Sequence, residues 1–387
     1  MNKKIILFVY CTLLIACSAP THEGESVDLL TVTDEVDEIS SYIDRLEVIP
    51  LQTDSVIIVS PVKTLITESS FLFLDGGLVN KFDRQGHFQT TIGRIGRGPG
   101  EYIHVVDFCL SDKGDEFLLL THQNQVLRFS SSDGTYLGQI NTVLPGVTAN
   151  GIIPLKGGNY ALYVPNPPTE LLSDFSNPFY CVRYYNTSGK ESGADLLRVD
   201  FRMPMSFQLP TMQTGGNRFT LAPSASSGPV YVGEGGRLKQ LINIHFGSKS
   251  LPARFAFRNG KDPWEAMDEI GMSDYYKYPA SACLFDQYFY CSAFGKDFEV
   301  WNFIVNMDAE HKGIRWKSVP NSSKPLWAVA ADTQHLFYYC SETELEDGDS
   351  SEDPMIRTVS RYMDQNGIPK NNPIIFKVGF KIRSHEE

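Results

Sequence analysis

Four stretches of this chain repeat one pattern, a basic residue and an aromatic followed by a polar turn that closes on glycine. They are Lys81-Phe82-Asp83-Arg84-Gln85-Gly86, Arg128-Phe129-Ser130-Ser131-Ser132-Asp133-Gly134, Arg183-Tyr184-Tyr185-Asn186-Thr187-Ser188-Gly189 and Arg361-Tyr362-Met363-Asp364-Gln365-Asn366-Gly367. Glycine supplies the positive φ of a tight turn, and Asp or Asn bonds its own backbone, so each stretch reads as the corner of a hairpin. Apolar runs lie upstream of them: Phe71 to Leu74, Phe117 to Leu120, Tyr160 to Val164 and Leu336 to Tyr339. The unit is an antiparallel meander. Phe82, Phe129 and Tyr184 recur at intervals of 47 and 55 residues, near the ~40–50 residues of a propeller blade.

Units of this kind fall near Val62–Ile92, Ile103–Ile140, Val147–Leu196, Phe201–Phe246, Ala253–Trp316 and Lys324–Phe380. A four-stranded sheet that is apolar on both faces cannot stand alone, so six of them are expected to pack around an axis. The strand Leu46 to Leu51 would complete the last sheet and remove its open edge. The expected fold is all-β, a six-bladed β-propeller of four-stranded antiparallel blades. A short helix is inserted in blade 5, where Asp262-Pro263 opens and Gly271 closes a helical pattern.

The chain begins with basic Met1 to Lys4 and an apolar run, Ile5 to Ala16. That run is shorter than the ~20 residues a spanning helix needs, and reads as a signal-peptide core. It ends in Leu14-Ile15-Ala16-Cys17, which resembles a bacterial lipobox. Residues 1–16 are therefore expected to be a lipoprotein signal peptide, with Cys17 diacylated and holding the protein to a membrane. Residues 17–44 are expected to be an acidic flexible tether, and 45–387 the propeller. The formal charge of -12 becomes -14 once Lys3 and Lys4 leave with the signal, which argues against nucleic acid or anionic lipid as a partner.

Of seven cysteines, Cys11 lies in the expected signal and Cys17 at the anchor, leaving Cys109, Cys181, Cys283, Cys291 and Cys340. Their irregular spacing is no disulfide framework, and no pair has zinc-site spacing. Each sits in a strand-like apolar run and reads as a small buried hydrophobe. The alternative concerns Cys283 and Cys291, which a hairpin turning at Asp286-Gln287 would set opposite each other as a disulfide. The eight histidines form no metal motif and there is no nucleophile elbow, so neither metal nor cofactor is expected and no catalytic residue is assigned. The acidic run Glu342 to Asp353 reads as an exposed loop.

Two stretches have readings as binding sites. Gly93 to Gly100, with Arg94 and Arg97, is either an anion-binding nest or a structural corner in which Glu101 and the arginines tie neighbouring blades. The helix bearing Trp264, followed by Tyr275, Tyr276 and Tyr278, either covers a groove or forms an aromatic lid over a ligand such as a sugar.

Val48-Ile49-Pro50-Leu51, the Phe-Asp-x-x-Gly hairpin and above all Ile92-Gly93-Arg94-Ile95-Gly96-Arg97-Gly98-Pro99-Gly100-Glu101-Tyr102 resemble the six-bladed propeller lipoproteins of Bacteroidetes, an NHL-like family. The resemblance runs from about Leu46 to the C-terminus. It implies the same fold and a cell-envelope address, with outer-membrane anchoring, and carries over no catalytic residues. The expected function is a non-catalytic scaffold that presents one loop-rich face to a carbohydrate or an envelope protein. The competing expectation is a carbohydrate-active hydrolase or lyase with acidic catalysts at the propeller mouth.

Overall fold

The computed structural model describes residues 25–382 except 55, 143, 145–147, 165–179, 199–210, 215–217, 223–227, 235–236, 256–261, 308–310, 319–325 and 347. Residues 1–24, which include the expected signal peptide and Cys17, lie outside the described residues. The chain opens with β1 (Ser26–Asp28), α1 (Leu29–Val32), β2 (Thr33–Glu35) and β3 (Ile43–Pro50). Blade 1 is β4–β7 (Lys63–Ile66, Ser70–Asp75, Leu78–Asp83, Phe88–Ile92), and β8 (Arg94–Ile95) with β9 (Glu101–Tyr102) lies in the loop after it. Blade 2 is β10–β13 (Val105–Leu110, Glu116–Thr121, Gln125–Ser130, Tyr136–Asn141), and blade 3 is β14–β17 (Gly151–Leu155, Asn159–Tyr163, Tyr180–Tyr185, Glu191–Arg198). Blade 4 is β18–β21 (Thr211–Thr214, Arg218–Leu221, Gly228–Glu234, Arg237–His245), followed by α2 (Pro263–Met272). Blade 5 is β22–β25 (Lys277–Phe285, Tyr288–Phe294, Val300–Asn306, Gly313–Ser318). Blade 6 holds β26 (Ala328–Ala331), β27 (Leu336–Cys340), α3 (Glu342–Glu346), α4 (Pro354–Asn366) and β28 (Ile374–Phe380). Its outermost strand is β3, antiparallel to β28 from Ile374↔Pro50 to Phe380↔Ile43.

The expected six-bladed propeller is thus the fold, closed by the strand Leu46 to Leu51 as anticipated. The core is a set of wedges between blades, and the second strand of a blade feeds two of them. In β5, Phe71 and Phe73 pack with Phe337 and Ile375 of blade 6, while Leu72 and Leu74 pack with Phe108 and Phe117 of blade 2. The period of two in a strand sends alternate side chains to opposite faces, so a strand buried on both faces reads as a continuous apolar run. Near the axis, β18 of blade 4 touches the inner strands of blades 1, 3, 5 and 6 and makes a parallel bridge to blade 6, Thr214 to Ala331. The axis is filled by chain there.

Four expectations are corrected. From residue 25 the flexible tether is a strap: β1 adds in parallel to the edge of blade 4 and β2 to that of blade 5, and Val27, Leu29 and Ile39 are buried. Few apolar residues suffice because each extra strand also satisfies an open sheet edge. The repeat at Arg361 to Gly367 is the end of α4, where Gly367 (φ 65) is a left-handed C-cap rather than a hairpin corner. Asp353 is the buried N-cap of the same helix rather than an exposed acid. Finally, β22 and β23 do turn at Asp286-Gln287, but in the register Ala282↔Cys291 and Cys283↔Tyr290. One residue of offset puts the two thiols on opposite faces of the sheet, in different wedges, and both are free.

The direction of the strands gives the disc two unlike faces. One, the loop face, carries the connections between blades and those from second to third strand. The other, the turn face, carries the turns from first to second and from third to fourth strand.

Candidate functional site

The Gly93 to Gly100 loop sits on the loop face between blades 1 and 2. Its anion site is taken by the protein's own carboxylate: Glu101 accepts from Gly98 N at 2.7 Å and from Arg94 Nε at 2.7 Å. The Gly98 amide above all, with Arg94, holds the Glu101 pKa below its ordinary value against the opposing effect of burial. The Tyr102 hydroxyl donates to Ile92 O at 2.6 Å, and a Cβ on Gly93 (φ 72) would lie 2.6 Å from the Tyr102 ring and 2.9 Å from Phe129 of blade 2. These contacts make a corner that fixes one blade to the next. Arg97 is exposed at its tip.

Diametrically across the loop face, between blades 4 and 5, stands α2. The Asp262 side chain accepts from Trp264 N and Glu265 N with Pro263 in the first turn, as expected from the sequence. The other end is held from beneath, where the buried ammonium of Lys277 donates to Gly271 O at 3.1 Å and Ser273 O at 3.0 Å. Burial pulls the Lys277 pKa down to about 8, with Asp297 and Asp274 opposing. Beside the helix is a cleft of about 820 Å³ whose lining includes Lys249, Arg254, Phe255, Glu269, Met272 and Tyr275. Arg254 lies over the rings of Phe255 and Tyr275, 5.0 and 5.4 Å from their centroids, and donates to the Tyr275 hydroxyl at 2.9 Å.

The sequence-derived candidates therefore divide. Tyr275 lines the cleft and Trp264 stands exposed on α2. Tyr276 turns inward, stacked on Phe246 at 4.8 Å and edge-on to Phe303, and burial pushes its hydroxyl up to about 12. Tyr278 lies in β22, with its side chain outside the described residues. Arg94 and Arg97 share this face with Trp264 and Tyr275, but on the far side of the axis. Sequence reading missed Arg254 and Lys249, which have no pattern around them and matter only through what the fold brings near.

The distribution of exposed large apolar side chains is one-sided. Of the eight among the described residues, Ile57 (80% exposed), Val59, Val62, Ile95, Ile103, Trp264 (65%) and Met272 (67%) all stand in inter-blade connections on the loop face. The eighth, Leu137, is on an outer strand. Five of the seven belong to the two connections that flank blade 1, so they are concentrated rather than spread around the disc.

The turn face has a cavity of about 650 Å³ among turns of blades 6, 1 and 2, whose lining includes Arg84, Lys113, Ser131 and Asp332. None of the sequence-derived candidates lines it. The carboxyls whose pKa is raised, Asp107 and Asp353, lie in neither cavity. Burial pushes both up. Asp107 accepts from Lys63 Nζ at 2.6 Å and from the amides of Phe108 and Ile152, tying the inner strands of blades 1, 2 and 3. Asp353 caps α4 and accepts from the Ser318 hydroxyl.

Fold and face together define a six-bladed β-propeller with one apolar loop face. The chain belongs to the family described as domain of unknown function DUF4934, which matches residues 25–378. No curated protein matches it. Among solved structures it is similar to a Bacteroides fragilis protein described as a putative exported protein. The TM-score is 0.70 at 15% identity, covering 90% of this chain and 99% of that one. It is also similar to a member of the duf4221 family from Bacteroides vulgatus, with a TM-score of 0.51 at 11% identity over 88% of this chain and 98% of that one. At these identities the likeness is one of fold. No helix among the described residues is long and apolar enough to cross a membrane.

Proposed function

We propose that this protein is an outer-membrane lipoprotein, anchored through Cys17, whose propeller is a non-catalytic scaffold offering its loop face to an envelope protein. The observation that carries the reading is the concentration of exposed apolar side chains in inter-blade connections. A monomer that exposes Ile57, Val59, Val62, Ile95 and Ile103 on the two connections that flank blade 1 has a surface that water disfavours and a partner would cover. The cleft with Arg254 and Tyr275 supplies polar groups on the same face. The exported description of the similar Bacteroides fragilis protein and the sequence Leu14-Ile15-Ala16-Cys17 support the envelope address.

The anchor brings the disc close to the membrane. Between Cys17 and β1 lie only residues 18–25, at most about 30 Å when fully extended. The hydrolase alternative needs paired carboxyls with separated pKa values in a cleft, whereas the raised carboxyls Asp107 and Asp353 hold the frame together.

The test has two arms in cells. Labelling with an alkynyl fatty acid is expected to mark the wild type and not Cys17→Ser, which should leave the membrane fraction. Affinity capture after crosslinking is expected to retain the same partner with the wild type and lose it with Ile57→Asp/Val59→Asp. Unchanged labelling of Cys17→Ser would overturn the anchor, and an unchanged partner set in the double variant would overturn the loop face.

A further inference from the structure

Arg84 sits in the turn after β6, on the face opposite the exposed apolar side chains. Its guanidinium carbon lies over two buried rings of blades 1 and 6, 4.4 Å from the Phe71 centroid and 5.8 Å from that of Phe337. Among the described residues Arg84 Nη1 donates to Thr67 O at 3.5 Å, and burial lowers the Arg84 pKa against the charges of Asp332 and Glu47. A guanidinium has five donors, so most of the fork is left for whatever occupies the 650 Å³ cavity it lines.

Two of the three acids of that cavity accept backbone amides, Asp112 from the turn of the neighbouring blade 3 and Asp332 from its own. Asp112 accepts from Gly157 N at 2.7 Å and Gly158 N at 3.1 Å. Asp332 accepts from Gln334 N and His335 N, each at 2.8 Å, and has the His335 ring 3.1 Å away. Glu68 is exposed at the rim, as is Lys113. The remaining wall mixes half-buried apolar Ile66 and Leu110 with the exposed Ser69 hydroxyl and that of Ser131, which donates to Gly114 O at 2.8 Å. A planar fork held against aromatic rings matches a carboxylate in two-point contact, which an ammonium does not reproduce. Hydroxyl groups beside apolar surface match the edges and face of a sugar ring, and the volume is that of a site for a ligand of this size.

From these features we infer that the turn-face cavity binds a carboxylate-bearing sugar, a uronate, with Arg84 as the fork that receives the carboxylate and Lys113 as a rim cation. The site is separate from the loop face and stands whether or not that face binds a protein.

The experiment uses the full soluble chain after the leader, titrated calorimetrically with D-glucuronate and D-galacturonate, with glucose and sulfate alongside. Saturable binding of a uronate with no response to glucose and a weaker one to sulfate is expected. Equal response to sulfate would overturn the sugar part of the assignment, and no response to either uronate would overturn it entirely. In Arg84→Lys, which keeps the charge and stem over Phe71 but loses the fork, uronate affinity should fall about tenfold or more. Unchanged affinity there would also overturn it. Should that variant fail to fold, phenylglyoxal modification of the wild type decides. Uronate is expected to protect Arg84 in peptide mass maps while leaving Arg254 reactive, and equal modification of Arg84 with and without uronate would contradict the site.

Discussion

The two faces of this propeller are built from the same strands yet differ in what they leave exposed. On the turn face, side chains of Asp83, Asp133 and Asn186 accept amides of their own corners, and glycines with positive φ close the turns. On the loop face the connections between blades are longer and less regular, and seven large apolar side chains among the described residues are exposed. Regular turns therefore serve the fold, and irregular connections carry the surface left for recognition. The Gly93 to Gly100 corner shows that a conspicuous motif on the loop face can still be structural, since Glu101 fills the anion site its backbone would otherwise offer.

The contrast can be broken first at the glycines. Gly86→Ala on the turn face is expected to have the largest effect, because at φ +90 its Cβ would meet Pro50 O of the closing strand at 2.1 Å. Strain and backbone overlap together predict a loss of about 3 kcal/mol or more in urea unfolding. Gly114→Ala, with φ +75 and only the Leu110 side chain at 3.7 Å, should lose about 1 kcal/mol. Equal losses would mean that the corner of blade 1 is not locked to the closing strand.

Lys277→Met sharpens the comparison beneath α2. The folded pKa of Lys277, about 8, lies below its ordinary 10.5. The folded state releases this proton first as pH rises, so the Lys277 contribution makes stability climb between those values. Unfolding at pH 7.5 and 10 should show that rise in the wild type and a smaller one in the variant. At the other end of the pH scale, Glu101→Gln should remove a stabilisation that is present above pH 4.5 and is lost as pH falls through the lowered folded pKa. A wild-type acid limb identical to that of the variant would contradict the role of Glu101 in the corner. Smallest of all, Trp264→Ala and Ile57→Asp should each leave stability within about 0.5 kcal/mol of the wild type, since both side chains are mostly in water. A larger loss would show that the loop face is packed rather than open.

Much of the frame was legible in the sequence because blades are local. The corners at Gly86, Gly134 and Gly189 are hairpins, and all three glycines have positive φ. Gly367 carries the same conformation for a different reason, as a helix cap. The signal that distinguishes it lies upstream, in Asp353-Pro354 followed by buried Met355, Ile356, Val359 and Met363 at helical spacing. The strap β1 and β2 was hidden because strands of three residues have no alternation to read and gain their stability from a distant edge. The site was less legible for a similar reason. Trp264 and Tyr275 declared themselves by type, but the Arg84 cavity is assembled from turns of three blades, and the exposed apolar side chains stand on connections more than 30 residues apart.

The central claim is that the loop face is where this protein meets its partner. It is tested most directly by placing a photocrosslinking amino acid at Ile57 or Met272 on that face, and at Lys113 on the turn face, and irradiating intact cells. A discrete crosslinked protein adduct from Ile57 or Met272, absent from Lys113, is the predicted result. Protein adducts from Lys113 alone would contradict the claim.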